Sequence, residues 1–148
     1  MKLVKILCFL TVITFSGYGQ ILKPVTWSYV AKKTSPTTAT IFLKANVEEG
    51  WHLYSQFVKP GGPVKTTFTF AKDKAYSLIG NTIEPKPIQK FEPMFQMTIS
   101  YFSGPVIFQQ KVKFTGKNPV VKGKVEYMVC DDSQCLPPEE VEFSIAIK

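Results

Sequence analysis

Apolar and polar residues alternate along this chain in short runs, and each run is cut by strong turn-forming residues. Trp27, Tyr29 and Ala31 share one side of the first run, and Ile41, Leu43, Ala45 and Val47 share one side of the next. Val64, Thr66, Phe68 and Phe70 repeat the pattern, as do Val106, Phe108 and Gln110 in a run that continues to Phe114. Val125, Tyr127 and Val129 form a late run, and Val141, Phe143, Ile145 and Ile147 the last. A period of two is that of a strand with one buried face. Between the runs lie Ser35-Pro36, Glu49-Gly50, Pro60-Gly61-Gly62-Pro63, Gly80-Asn81, Ser103-Gly104-Pro105, Gly116 to Pro119, and Pro137-Pro138. These residues supply the fixed or positive φ angles that turns need. No stretch joins a sustained helical period to a capping residue. The pattern predicts an all-β sandwich of about seven to nine strands. The segment from Asn81 to Pro93 carries Pro85, Pro87 and Pro93 and reads as one long irregular loop. Loops of that length in compact domains are more often functional than decorative.

The first residues have a different character. Lys2 and Lys5 precede a largely apolar stretch from Ile6 to Phe15, followed by Ser16-Gly17-Tyr18-Gly19. A positive start, a short apolar segment and small residues before a break predict a secretory signal peptide, residues 1–19, cut after Gly19. The stretch is shorter than the roughly 20 apolar residues of a membrane span. Cys8 lies inside it and leaves with it. The expected mature chain, residues 20–148, then holds sixteen lysines against eleven acidic residues and two cysteines. It is placed in the periplasm or outside the cell, where disulfides persist, with no stable membrane insertion after the signal is removed.

Hydrophobic residues at 45% and charged residues at 20% of the 148 describe a globular protein rather than a disordered one. The basic excess of the whole chain, +7, comes from lysine alone. Without the planar guanidinium fork that grips phosphates and guanine edges, a nucleic-acid partner is not expected. The lysines are scattered along the sequence and read as a solvated surface. His52 is the single histidine, so a metal site built from this chain is not expected either.

The chemistry concentrates in Tyr127-Met-Val-Cys130-Asp-Asp-Ser-Gln-Cys135-Leu-Pro-Pro-Glu-Glu140. A strand ends, four polar or turn-forming residues follow, and a second cysteine returns before two prolines. Four intervening residues can loop back far enough to bring the two Cα atoms within bridging distance, roughly 4.4–6.8 Å. The closed ring is small, and chain entropy gives such a bridge only about 2 kcal/mol of stabilisation. A staple gains more by joining distant strands. A tight pair at a loop tip adds less to the fold and leaves its sulfurs open to attack by another thiolate. Spacing alone leaves both roles open. Asp131, Asp132, Glu139 and Glu140 surround the pair, and negative neighbours disfavour a thiolate.

These residues resemble the N-terminal domain of the thiol:disulfide interchange protein DsbD. The shared features are Tyr-x-x-Cys, a short polar loop, a second cysteine, an apolar residue, Pro-Pro-Glu and a final alternating strand. Glu49-Gly-Trp-His-Leu-Tyr54 is similar to that family's Asp-Gly-aromatic-aromatic-Leu-Tyr strand, and Phe91 to Tyr101 to its cap loop. The resemblance implies an immunoglobulin-like sandwich whose cysteines cycle between dithiol and disulfide without a cofactor. It implies a thioredoxin-like protein or domain and a membrane electron carrier, both on another chain, as the donor side, and oxidised exported proteins as acceptors. By position, Cys135 would form the mixed disulfide and Cys130 would resolve it. Tyr54 would line the site, His52 stands where the family has an aromatic residue, and Glu92 stands at a family acidic position. The cap residue falls at Met94 or Phe95, with Phe95 favoured as the cover over sulfur. The cysteine loop is one residue shorter than in the best-known member. A non-enzymatic immunoglobulin-like binding or assembly domain with a structural bridge is the alternative. A lipid or small-ligand binder rests only on the aromatic content, which a sandwich core explains more simply.

Overall fold

The computed structural model describes residues 22–148. The expected signal peptide, Cys8 and the cut after Gly19 lie outside the described residues. Eleven strands follow one another: β1 (Val25–Ser35), β2 (Thr38–Val47), β3 (His52–Tyr54), β4 (Thr67–Phe70), β5 (Tyr76–Ile83), β6 (Ile88–Glu92), β7 (Met97–Phe102), β8 (Val106–Phe114), β9 (Val120–Tyr127), β10 (Val129–Cys130) and β11 (Glu139–Ala146). The all-β expectation holds, and there is no helix among the described residues. The count exceeds seven to nine because β3 and β10 are only three and two residues long. Runs that short carry no readable alternation.

The strands form three antiparallel groups in the orders β1-β2-β8-β5, β10-β3-β7-β6 and β11-β9-β4. β9 and β10 are separated only by Met128, so one extended run passes from the third group into the second. The main core is filled by alternate residues of the long strands, including Ile41, Leu43, Phe108, Val112, Val121, Val125, Phe143 and Ile145. Phe108 is fully buried, and the rings of Trp27, Phe68 and Phe102 lie 5.0–6.1 Å from its centroid. Gly123 is required by close approach: a Cβ there would collide with the Thr69 carbonyl oxygen and the Phe143 ring.

Two local expectations are corrected. Asn81 to Pro93 is not one irregular loop: β5 runs on to Ile83, and β6 occupies Ile88–Glu92. The prolines fall in the link between the two strands and directly after β6, where no ladder donor is lost. Gly80, with φ of 66°, lies within β5 rather than ending it, where the register against β8 shifts between Ile79 and Ile83. An edge strand absorbs such a bulge. The run from Val64 is a strand only from Thr67, because Pro60 to Pro63 keep its start out of the ladder. The lysines, scattered in sequence, are partly gathered in space. The strands of the β1-β2-β8-β5 sheet carry five lysines (Lys32, Lys33, Lys44, Lys111, Lys113) and no acidic residue.

Phe108→Ala removes the ring at the centre of the aromatic cluster. The expected loss is about 3–5 kcal/mol of folding stability, read by urea unfolding of the oxidised protein.

Candidate functional site

Strand alternation creates a second apolar cluster beside the main core. Tyr127 and Val129 point into the core, whereas Cys130 belongs to the second cluster and Met128 packs against it. The same division runs through the paired strands. Leu53 and Phe102 are register partners in the core, and their neighbours Tyr54 and Tyr101 are partners on the other face. Tyr54, Ile99 and Cys130 form the buried centre of this second cluster, with Val58, Phe95, Met97, Tyr101 and Cys135 packed around it. Strands β10, β3 and β7 thus meet the core on one face and this cluster on the other, while β6 at the edge is largely exposed.

Cys130 and Cys135 are joined by a disulfide with their Cα atoms 4.0 Å apart. Asp131 N–H donates to the Gln134 carbonyl and Leu136 N–H to the Val129 carbonyl, each at 2.9 Å. The cysteines therefore occupy the non-hydrogen-bonded position of an antiparallel turn, where facing residues come closest. Their separation is shorter than the roughly 4.4 Å lower end of the usual bridge range. Asp131 holds the turn in shape. Its Oδ1 accepts from the Ser133 N–H (2.8 Å), the Ser133 hydroxyl (2.8 Å) and the Gln134 N–H (2.7 Å). These donors hold its carboxyl below the usual carboxylate range. In sequence Asp131 reads as a charge hostile to a thiolate; in the fold it is also the residue that closes the turn.

The two sulfur-bearing residues are not equivalent. Cys130 is 4% exposed, whereas Cys135 is only half-buried. Beside them is a recess of about 160 Å³ lined by His52, Tyr54, Lys90, Glu92, Met94, Phe95, Cys130, Asp131, Asp132 and Cys135. Every site residue read from the sequence lies on it. Lys90 is a further lining residue: two residues before Glu92 on β6 it shares that strand face, a signal the flanking prolines conceal in the sequence.

The recess is partly roofed by the β6–β7 hairpin. Its tip, Pro93 to Gln96, is closed by Phe95 N–H donating to the Glu92 carbonyl (3.1 Å) and by Gln96 adopting a φ of 54°. Phe95 packs into the cluster, while Met94 stands 67% exposed. The floor is fixed at the end of β3. The Ser55 hydroxyl and Gln56 N–H donate to the two oxygens of Glu84 at 2.5 and 2.9 Å, and Thr66 Oγ1 donates to the Tyr54 carbonyl. Burial, the Glu92 carboxylate and Tyr101 push the Tyr54 phenol up to about 12, so it stays neutral at physiological pH. Among the described residues no cluster of side chains has the make-up of a metal site.

The family model for the N-terminal part of thiol:disulfide interchange protein DsbD matches residues 20–147. Among solved structures, the N-terminal periplasmic domain of ScsB from Proteus mirabilis is similar, with a TM-score of 0.60 and 17% identity over 85% of this chain. The match spans 47% of that solved chain. The DsbD N-terminal domain of Neisseria meningitidis in its reduced form aligns with a TM-score of 0.50 and 15% identity, covering 80% of this chain and 84% of that one. The complex of the Neisseria meningitidis DsbD and PilB N-terminal domains aligns with 0.54 and 14%, covering 85% and 88%. At these identities the likeness is one of fold. No curated protein matches this sequence.

Asp131→Ala removes the acceptor that closes the turn, so the thiols of the reduced protein face each other less often. The bridge is expected to become several-fold easier to reduce in a dithiothreitol equilibrium. Acid has a related effect. The Asp131 carboxyl titrates lower in the fold than when unfolded, so its stabilisation is intact above about pH 4 and lost as pH falls through the lowered folded value.

Proposed function

From the premise that the chain belongs to the family of the DsbD N-terminal domain, we propose that it works outside the cytoplasm as a thiol:disulfide relay through Cys130 and Cys135. The observation that carries this reading is the position of the bridge. It closes a six-residue ring at the tip of a turn, where it joins no distant strands, and one sulfur-bearing residue is partly open to a recess. Reduction of the bridge proceeds as two exchanges. A partner thiolate attacks Cys135 Sγ; the new bond joins partner and Cys135, and the old bond's electron pair leaves on Cys130 Sγ. A second partner thiol then attacks the partner's own sulfur, releasing Cys135 as the second thiolate and the partner as a disulfide. Running the steps in reverse lets Cys135 attack an oxidised protein and Cys130 resolve the mixed disulfide.

The difference in exposure supports Cys135 as the attacked and attacking sulfur. The remaining roles follow the same logic. Phe95 is the cover that must move before a partner thiol reaches sulfur, and Met94 is a surface contact of the same loop. Tyr54 and Glu92 wall the recess. The donor side is proposed to be a thioredoxin-like protein or domain fed by a membrane carrier on another chain, and the acceptors oxidised exported proteins. A thioredoxin-like partner is in keeping with the DsbD–PilB complex among the similar folds. Export rests on the leader-like residues 1–19. Among the described residues no helix is long and apolar enough to cross a membrane.

Cys130→Ala, mixed with a thioredoxin-like protein that keeps only its attacking cysteine, activated as a mixed disulfide with an aromatic thiol, is expected to displace that thiol and trap a covalent complex through Cys135, seen as a dithiothreitol-sensitive band. Cys135→Ala should trap far less. Failure of Cys130→Ala to trap a partner, with a bridge that a thioredoxin-like reductant leaves intact in the folded protein, would refute the relay. Phe95→Ala should speed reduction by glutathione roughly tenfold by opening the path to sulfur, and Met94→Ala should leave it nearly unchanged.

A further inference from the structure

The register of three adjacent strands places Cys135, Cys130 and His52 in one lateral row. Cys135 faces Cys130 across the turn, and Cys130 faces His52 across the β10–β3 pair. Facing residues of an antiparallel pair project to the same side, with Cβ atoms about 4.5–5.5 Å apart. His52 therefore flanks the sulfur-bearing side chain of Cys130 on the side away from Cys135, and both line the recess. The imidazole is steadied by the Tyr101 ring, whose centroid lies 4.4 Å from its own. Histidine is the side chain that gains or loses charge near neutrality.

We propose that protonated His52 is the electrostatic partner of Cys130, holding the negative charge that appears on its sulfur when the bridge opens. This rests on the relay reading above. In the first exchange the electron pair of the S–S bond passes to Cys130 Sγ, and Cys130 is nearly buried, so water gives that charge little help. The other charges around the recess do not do the same work. Asp131 and Asp132 from the turn and Glu92 from β6 are negative and oppose a thiolate, while Lys90 from β6 is the one other cation lining it. Tyr54 from β3 is neutral, and Tyr101 from β7 is the ring against which the imidazole lies. His52 alone faces Cys130 across a strand pair. A single positive charge at this range, weakened by partial exposure, corresponds to about a tenfold change in thiolate population. Because leaving-group thiols of lower pKa depart faster, His52 also makes opening of the bridge depend on pH.

The test uses the whole exported protein carrying Cys135→Ser, so that Cys130 is its only free thiol, and follows thiolate absorbance near 240 nm against pH. With His52 in place, the thiolate fraction at about pH 6 should exceed that of the additional His52→Phe variant about tenfold. The gap should close above about pH 8, as imidazoles lose their charge. His52→Gln, which keeps a polar side chain without the charge, should behave like His52→Phe; near-UV circular dichroism shows that each variant keeps its fold. Superimposable curves, a gap that persists undiminished at high pH, or wild-type behaviour of His52→Gln would each overturn the proposal. Failure of the relay reads out separately: no mixed disulfide forms, whatever the shape of these titrations.

Discussion

The site depends on one geometric fact, that successive residues of an extended strand point to opposite sides. Where β9 runs through Met128 into β10, Val129 is anchored in the main core and Cys130 is thrown to the far face of the sheet. A shift of one residue would place the cysteine among core aliphatics and the valine in the second cluster. The core therefore positions the sulfur without enclosing it. The backbone bonds on either side of the pair then set Cys135 opposite Cys130 at the closest position an antiparallel pair offers.

Around this pair the protein places groups that oppose one another. The acidic residues of the turn and of β6 favour a neutral thiol, and Lys90, with His52 in the role proposed for it, favours a thiolate. The balance is set by three separate elements: the cysteine turn, the β6–β7 hairpin and β3. The hairpin tip lines the same recess as the sulfurs, with Phe95 packed into the cluster and Met94 exposed. On the proposed reading, a partner displacing this tip would alter access and electrostatics together, because Glu92 and Phe95 belong to the same hairpin. Glu84, which grips Ser55 and Gln56 from the strand link just ahead of β6, keeps the floor of the recess in place on the other side.

Much of this is legible in the sequence. The long strands declare themselves by alternation, and the cysteine turn by its spacing and flanking prolines. The two short strands were not legible, because β3 and β10 owe their existence to pairing with β7 and with each other rather than to any local pattern. β6 was hidden by prolines that lie just outside it. The neighbours of the cysteines were legible only through family resemblance, since Tyr54, Glu92 and Phe95 are distant in sequence and meet through register. The turn-closing role of Asp131 had a local signal, an aspartate two residues before a serine in a turn, that its charge obscured. The pairing of His52 with Cys130 had none, because cross-strand register is a property of the fold.

The central claim is that this bridge is made to open, and its equilibrium reduction potential in glutathione or dithiothreitol buffers tests that most directly. The account predicts a value above about −300 mV, with the sandwich fold intact in the dithiol form. A value well below that, or loss of the fold on reduction, would contradict it and leave the bridge as a structural fastening.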